Sequence, residues 1–224
     1  MNKIDIKFVS YSYYQLWETN NCLIKLIENI LNEKYNFIPL YFSTNNTKLK
    51  PIKKPLKLSE KLMKRSVEDI TLCSDNDTKK TIVDISFNRN KLKGICYLSY
   101  RSSIELNSDI NKFLSLLKKM IENSKGLYAY CHERIDIRQI NYQRENTYLL
   151  PSFLAKGAYW ITYYSKECVE SLGGVDLMMK SPAWNKMEFS DGILLISHPD
   201  PLFTENKTKK EELEKLNEYL EKLA

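Results

Sequence analysis

The sequence predicts an α+β protein, a mainly antiparallel sheet with helices packed on it, in a single compact domain over residues 1–224. Three observations carry that expectation. Ile4–Tyr14 and Thr81–Phe87 alternate apolar and polar residues with the two-residue period of half-buried strands. Ile110–Ile121 and Leu213–Leu223 instead place apolar residues three and four apart, as helices do. Short turn sequences, Asn88-Arg89-Asn90 and Asp191-Gly192, join neighbouring strand segments and read as hairpins.

Taken in order, the strand Ile4–Tyr14 leads into a helix with Leu16, Leu23, Ile27, Ile30 and Leu31 on one face. Asn36–Phe42 reads as a short aromatic strand, and Pro39, lacking an amide hydrogen, favours an edge position. Residues 44–58 carry Pro51 and Pro55 among lysines and form an exposed basic connection. Ser59 then caps a helix that buries Leu62, Met63, Val67 and Ile70. Thr81–Phe87 and Leu92–Tyr100 make a hairpin, which Ile104 and Leu106 extend.

Ser108 caps the next helix, with Ile110, Phe113, Leu114, Leu117 and Ile121 buried, and Gly126 closes it in the left-handed conformation. Leu127–Cys131 is a strand, whereas Ile135–Tyr148 is polar and irregular and reads as a long loop. Ala158–Tyr164 is rich in aromatic and β-branched residues and reads as a strand. Ser165 starts a short helix that Leu172-Gly173-Gly174 stops. Lys186–Phe189 and Ile193–Ser197 form a hairpin about Asp191-Gly192. Beyond His198-Pro199-Asp200-Pro201, a Thr208-x-x-Glu211 capping box opens a C-terminal helix over 208–223, buried through Leu213, Leu216, Leu220 and Leu223. Glu211/Lys215 and Glu218/Lys222 support it at four-residue spacing.

Composition narrows the function classes. Five cysteines, an odd number with no C-x-x-C spacing, point to reduced thiols rather than a disulfide framework or a zinc ribbon. The N-terminus has no uninterrupted apolar run, and no segment approaches the roughly 20 apolar residues of a membrane span. We therefore expect a cytoplasmic protein with no membrane partner. The net charge of +6 is concentrated. Between Thr44 and Arg65 eight basic side chains (Lys48, Lys50, Lys53, Lys54, Lys57, Lys61, Lys64 and Arg65) face Glu60 alone.

No assembled reactive site is legible. Nucleophile-elbow, phosphate-loop, dinucleotide and H-E-x-x-H motifs are absent from the sequence. Gly173-Gly174 follows a helix and serves to end it, not to cradle phosphate. Cys131-His132-Glu133 contains metal-ligand types, yet adjacent strand residues point to opposite faces, and His198 with Asp200 would have to complete any site. A cysteine nucleophile at Cys131 or Cys168 would need one of the two histidines as base. No enzyme, no metal and no cofactor is therefore expected. Binding is the better reading, and its candidates are Lys50, Lys53, Lys54 and Lys57 with Tyr41, and Trp184 as an aromatic anchor. The same lysines support an alternative, a nucleic-acid-binding accessory protein using Lys48–Lys64. Nucleic acid is disfavoured because the patch is nearly without arginine and has no recognition motif.

The order of landmarks adds a resemblance. A tyrosine-rich first strand leads into Trp17 and the Cys22–Leu31 helix, followed by Phe37–Phe42 and by Lys53-Lys54-Pro55-Leu56 before a second helix. Trp160, Leu172-Gly173-Gly174 and Gly192-Ile193-Leu194-Leu195-Ile196 before a proline-rich bend close the chain. Together these resemble the immunity proteins of bacterial polymorphic toxin systems, in particular the immunity protein fifty-two family. Tyr14-Gln15 stands where that family carries an arginine. The resemblance implies an α+β cytoplasmic protein that neutralises a cognate toxin protein by stoichiometric binding, and supplies no catalytic residues. It leaves homo-oligomerisation open.

Overall fold

A computed structural model describes residues 3–13, 40–44, 48–53, 69–74, 82–86, 95–105, 110–133, 157–199 and 206–223. Among the described residues ten strands run as β1 (Lys3–Tyr13), β2 (Tyr41–Thr44), β3 (Lys50–Pro51), β4 (Asp69–Cys73), β5 (Ile82–Ser86), β6 (Ile95–Glu105), β7 (Tyr128–Glu133), β8 (Ile161–Tyr164), β9 (Asn185–Phe189) and β10 (Gly192–Ile196). The described helices are α1 (Ile110–Ser124), α2 (Lys166–Ser171), α3 (Val175–Met179) and α4 (Lys207–Leu223). Hydrogen bonding orders the strands β3-β2-β4-β5-β6-β1-β7-β8-β10-β9. The ladders described residue by residue are antiparallel, so the chain has the α+β class its alternation predicts. The helices expected before residue 32 and from Ser59, and the loop Ile135–Tyr148, lie outside the described residues.

Packing groups the chain into two compact units. One comprises Val9–Ser103 and Asn111–Gly126, the other Met1–Phe8, Ile104–Ile110 and Leu127–Ala224. In the first, β4 stands where the sequence suggested the end of a helix: Ile70 is buried on a strand and pairs with Ile85 and Thr44. Ile70-Thr71-Leu72-Cys73 supplies β-branched and small apolar residues that suit a pleated surface, and Ile70, Leu72 and Cys73 are all buried. β2 begins at Tyr41, later than expected, and is flanked on both sides, by β3 and β4. Pro39 precedes it, so its missing N–H removes no bond from the Tyr41–Thr44 ladder and does not force an edge. β5 and β6 pair antiparallel as expected, Ile82 with Arg101 and Ser86 with Tyr97, while the turn expected at Asn88-Arg89-Asn90 lies outside the described residues.

α1 buries Leu114, Leu117, Met120 and Ile121. Its end differs from the expectation. Lys125 takes the left-handed conformation (φ 50°), while the amide of Gly126 donates to the Ile121 carbonyl at 3.0 Å. Glycine at 126 instead leaves room for a buried hydroxyl pair. A Cβ there would stand 2.7 Å from the Ser10 hydroxyl, which itself bonds Ser124 Oγ at 2.9 Å.

In the second unit β7, β8, β10 and β9 pair in succession. Ile193, Leu194, Leu195 and Ile196 are all fully buried, so both faces of β10 are covered. Ser165 occupies the N-cap of α2, as expected. Gly173 (φ 88°) and Gly174 (φ 97°) end that helix, the Gly174 amide donating to the Val169 carbonyl at 2.8 Å. Gly174 is also the N-cap of α3, a helix the sequence reading did not contain, because five residues are too few to show a period. α4 starts one residue early: Asn206 Oδ1 accepts from the Lys209 amide at 3.2 Å, so Asn206 caps the helix in place of Thr208. Leu213, Leu216 and Leu220 are its buried stripe, with Leu223 half-exposed, and Glu211 reaches back to Lys207 at 3.8 Å. Asn217 fixes the helix to the start of β8, accepting from the Ala158 amide at 2.8 Å and donating to its carbonyl at 3.3 Å.

Candidate partner-binding surfaces

The β9–β10 hairpin positions the most exposed aromatic anchor among the described residues. Phe189 pairs with Gly192, leaving Ser190 and Asp191 as the two turn residues. The left-handed position belongs to Ser190 (φ 55°) and not to Gly192. Glycine is needed at 192 because a Cβ there would lie 2.0 Å from the Tyr164 carbonyl oxygen. Asp191 accepts from the Tyr163 hydroxyl at 2.7 Å, and the Tyr163 ring meets Phe189 edge-on at 5.9 Å. Burial, reinforced by the Asp191 carboxylate, pushes the Tyr163 hydroxyl's pKa up. Trp184 immediately precedes β9 and is 55% exposed, whereas Trp160 is buried and donates through Nε1 to the His198 carbonyl. Lys186 Nζ donates to the Ser181 carbonyl at 2.9 Å and secures the segment that carries Trp184.

The lysine candidates sit on the other unit. Lys48, Lys50 and Lys53 are exposed, and Lys50 lies on the short β3, which forms within the expected exposed connection 44–58. Lys54 and Lys57 lie outside the described residues. Tyr41 is half-buried and pairs with Pro51, while Phe42 pairs with Lys50. Cross-strand partners share a face and successive residues alternate, so Tyr41 and Lys50 project from opposite faces. They do not form one aromatic-basic surface. The apolar residue exposed here is Leu40, at 53%, which sequence reading missed. Its carbonyl accepts from the Ile52 amide at 2.8 Å.

The residues considered for chemistry are interior. His132 and His198 are both buried. His132 Nδ1 lies 2.6 Å from the Glu133 carbonyl, and its ring stacks on Tyr130 at 5.6 Å. Burial lowers its pKa to about 4, helped by the Lys7 charge and opposed by the Glu133 hydrogen bond. Burial likewise pushes the Cys131 and Cys168 thiols up, and Cys168 donates to the Leu127 carbonyl at 3.5 Å. A protonated thiol is a poor nucleophile. Cys131, His132 and Glu133 alternate along β7 as the sequence requires, and among the described residues no three His, Cys, Asp or Glu side chains group as metal ligands. Tyr130 stacks on Tyr159 at 4.2 Å, and the hydroxyls of Tyr128 and Tyr164 both donate to the Gly157 carbonyl at 2.6 Å. These tyrosines are core.

The described residues thus form an antiparallel α+β fold in which the residues considered for chemistry are buried, and the exposed features among them include strand edges, lysines, Leu40 and Trp184. No protein-family model matches the chain, and no curated protein matches it. Among solved structures the fold is similar to that of a Pseudomonas aeruginosa T6SS protein, PA0821, with a TM-score of 0.70 over 99% of this chain and 73% of that one. The identity is 11%, so the likeness is one of fold. Among the described residues no helix is long and apolar enough to cross a membrane.

Proposed function

We propose that this protein is an immunity protein, which binds a cognate bacterial toxin and neutralises it by stoichiometric inhibition, without catalysis of its own. The observation that carries the reading is the fold likeness to a T6SS protein along almost the whole chain. It agrees with the sequence resemblance to toxin-immunity proteins, although the fifty-two family itself rests on that resemblance alone. Exposed Trp184 is the natural anchor, because a tryptophan buries a large area at small cost in rotamer freedom. The lysines at and beyond β3 would speed encounter with an acidic toxin face more than they would tighten the complex. A cytoplasmic site of action follows from the same reading.

The test is co-expression with the toxin encoded by the neighbouring gene. Rescue of growth and a one-to-one complex are expected, with Trp184→Ala weakening the complex at least about tenfold. No rescue and no complex would sink the proposal. A salt-sensitive complex with DNA or RNA, abolished when Lys50, Lys53, Lys54 and Lys57 become glutamine, would favour the nucleic-acid alternative.

A further inference from the structure

β9 is the last strand in the hydrogen-bonded order, and among the described residues no strand pairs with its outer side. It has five residues, Asn185-Lys186-Met187-Glu188-Phe189, with no proline or bulge to blunt it, and its side chains are half-exposed or exposed. Its backbone polarity follows from the turn. In a two-residue hairpin the closing pair exchanges both backbone bonds, here Phe189 with Gly192, and alternate residues repeat the pattern. Asn185, Met187 and Phe189 therefore spend their N–H and C=O groups on β10. Those of Lys186 and Glu188 point outward.

The two residues whose backbone faces outward are thus the two that carry opposite charges, placed symmetrically about Met187. We propose that β9 is a self-complementary edge that pairs antiparallel with β9 of a second copy of this chain, on a two-fold axis at Met187. In that register Lys186 stands opposite Glu188 of the second copy, and Glu188 opposite its Lys186. Each such pair exchanges two backbone bonds and sets opposite charges side by side on one face. Lys186 can keep its bond to the Ser181 carbonyl, since an ammonium has three donors. Neighbouring registers centre on Lys186 or Glu188 and set like charges directly opposite, so charge selects the Met187 register. The arrangement is isologous and closes as a dimer. It carries Trp184 of each copy to the level of Ser190 of the other, adding exposed apolar area beside a short ladder. The inference does not rest on toxin binding, with which it would share Trp184.

Sedimentation of the purified full chain across a concentration series tests it. The wild type is expected to show a monomer–dimer equilibrium. Lys186→Glu and Glu188→Lys should each weaken the dimer at least about tenfold, by placing like charges opposite at both symmetric positions. Mixing those two variants should restore a heterodimer, and the double exchange K186E/E188K should restore the homodimer, which separates charge pairing from any loss of folding. Met187→Cys should cross-link through residue 187 under mild oxidation, because directly opposed residues at a non-hydrogen-bonded pair have Cα atoms about 4.5 Å apart. Glu188→Cys should not. A wild type that stays monomeric throughout, or a dimer indifferent to both single reversals, overturns the proposal.

Discussion

The outer strands of the two units, β3 and β9, are built on opposite principles. β3 has two residues, a lysine and a proline, both exposed. β9 has five, rests on a strand buried on both faces, and is joined to it by a turn leading into Gly192, which has no room for a methyl group. Lysine and proline on a short edge are what keeps a sheet from recruiting another strand, since proline offers no donor and lysine resists desolvation. A longer edge without proline, its single lysine balanced by Glu188, keeps its backbone groups available. The outer strand of one unit is therefore shaped to stay solvated, and that of the other to be paired.

The comparison breaks most decisively at Gly192. Replacing it with valine drives a branched side chain into the Tyr164 carbonyl, and we expect a loss of at least about 3 kcal/mol in a urea melt, with β9 exchanging its amide hydrogens freely. A melt unchanged by that substitution would mean the hairpin does not depend on this close approach.

Acid should sharpen the contrast next. An unfolded histidine titrates near 6.5, whereas burial holds folded His132 at about 4, so between those values the unfolded chain binds the extra proton. Stability of the unit containing β7–β10 should then fall as pH drops from about 6.5 and level off below about 4. At 1.36 kcal/mol per pH unit the full loss is about 3 kcal/mol. Urea melts across that interval should show the slope in the wild type, and a flatter profile in His132→Phe identifies its source.

At the other border the effect should be small. Lys50→Gln with Lys53→Gln removes two exposed charges and should alter stability by less than about 0.5 kcal/mol, while slowing association with an acidic partner and reducing its salt dependence. Stopped-flow binding at two ionic strengths separates those outcomes.

Strong periodicity made β1, α1 and α4 legible, because their buried stripes repeat often enough to exclude other readings. Local turn chemistry misled where two residues of similar capability stand together. Gly126 and Gly192 looked like turn-formers, yet Lys125 and Ser190 take the left-handed positions and the glycines serve close contacts that only the packed structure creates. Asn206 competes with Thr208 for the cap of α4 and wins by position. Ile70 fits a helical stripe and a strand equally well until β2 and β5 pair with β4 on either side. Of the candidate surfaces, Trp184 and Lys50 could be named from residue type alone. That Tyr41 and Lys50 face apart needed the register, and so did the pairing potential of Lys186 and Glu188.

The buried thiols give each unit an internal clock. Cys73 lies in one, Cys131 and Cys168 in the other, and all three are shielded from solvent. Alkylation of each therefore waits on opening of the unit that holds it, so peptide-resolved labelling of the native chain times the two openings separately. A ligand that stabilises only one unit will slow only that unit's labels, which locates a bound partner before any complex is crystallised.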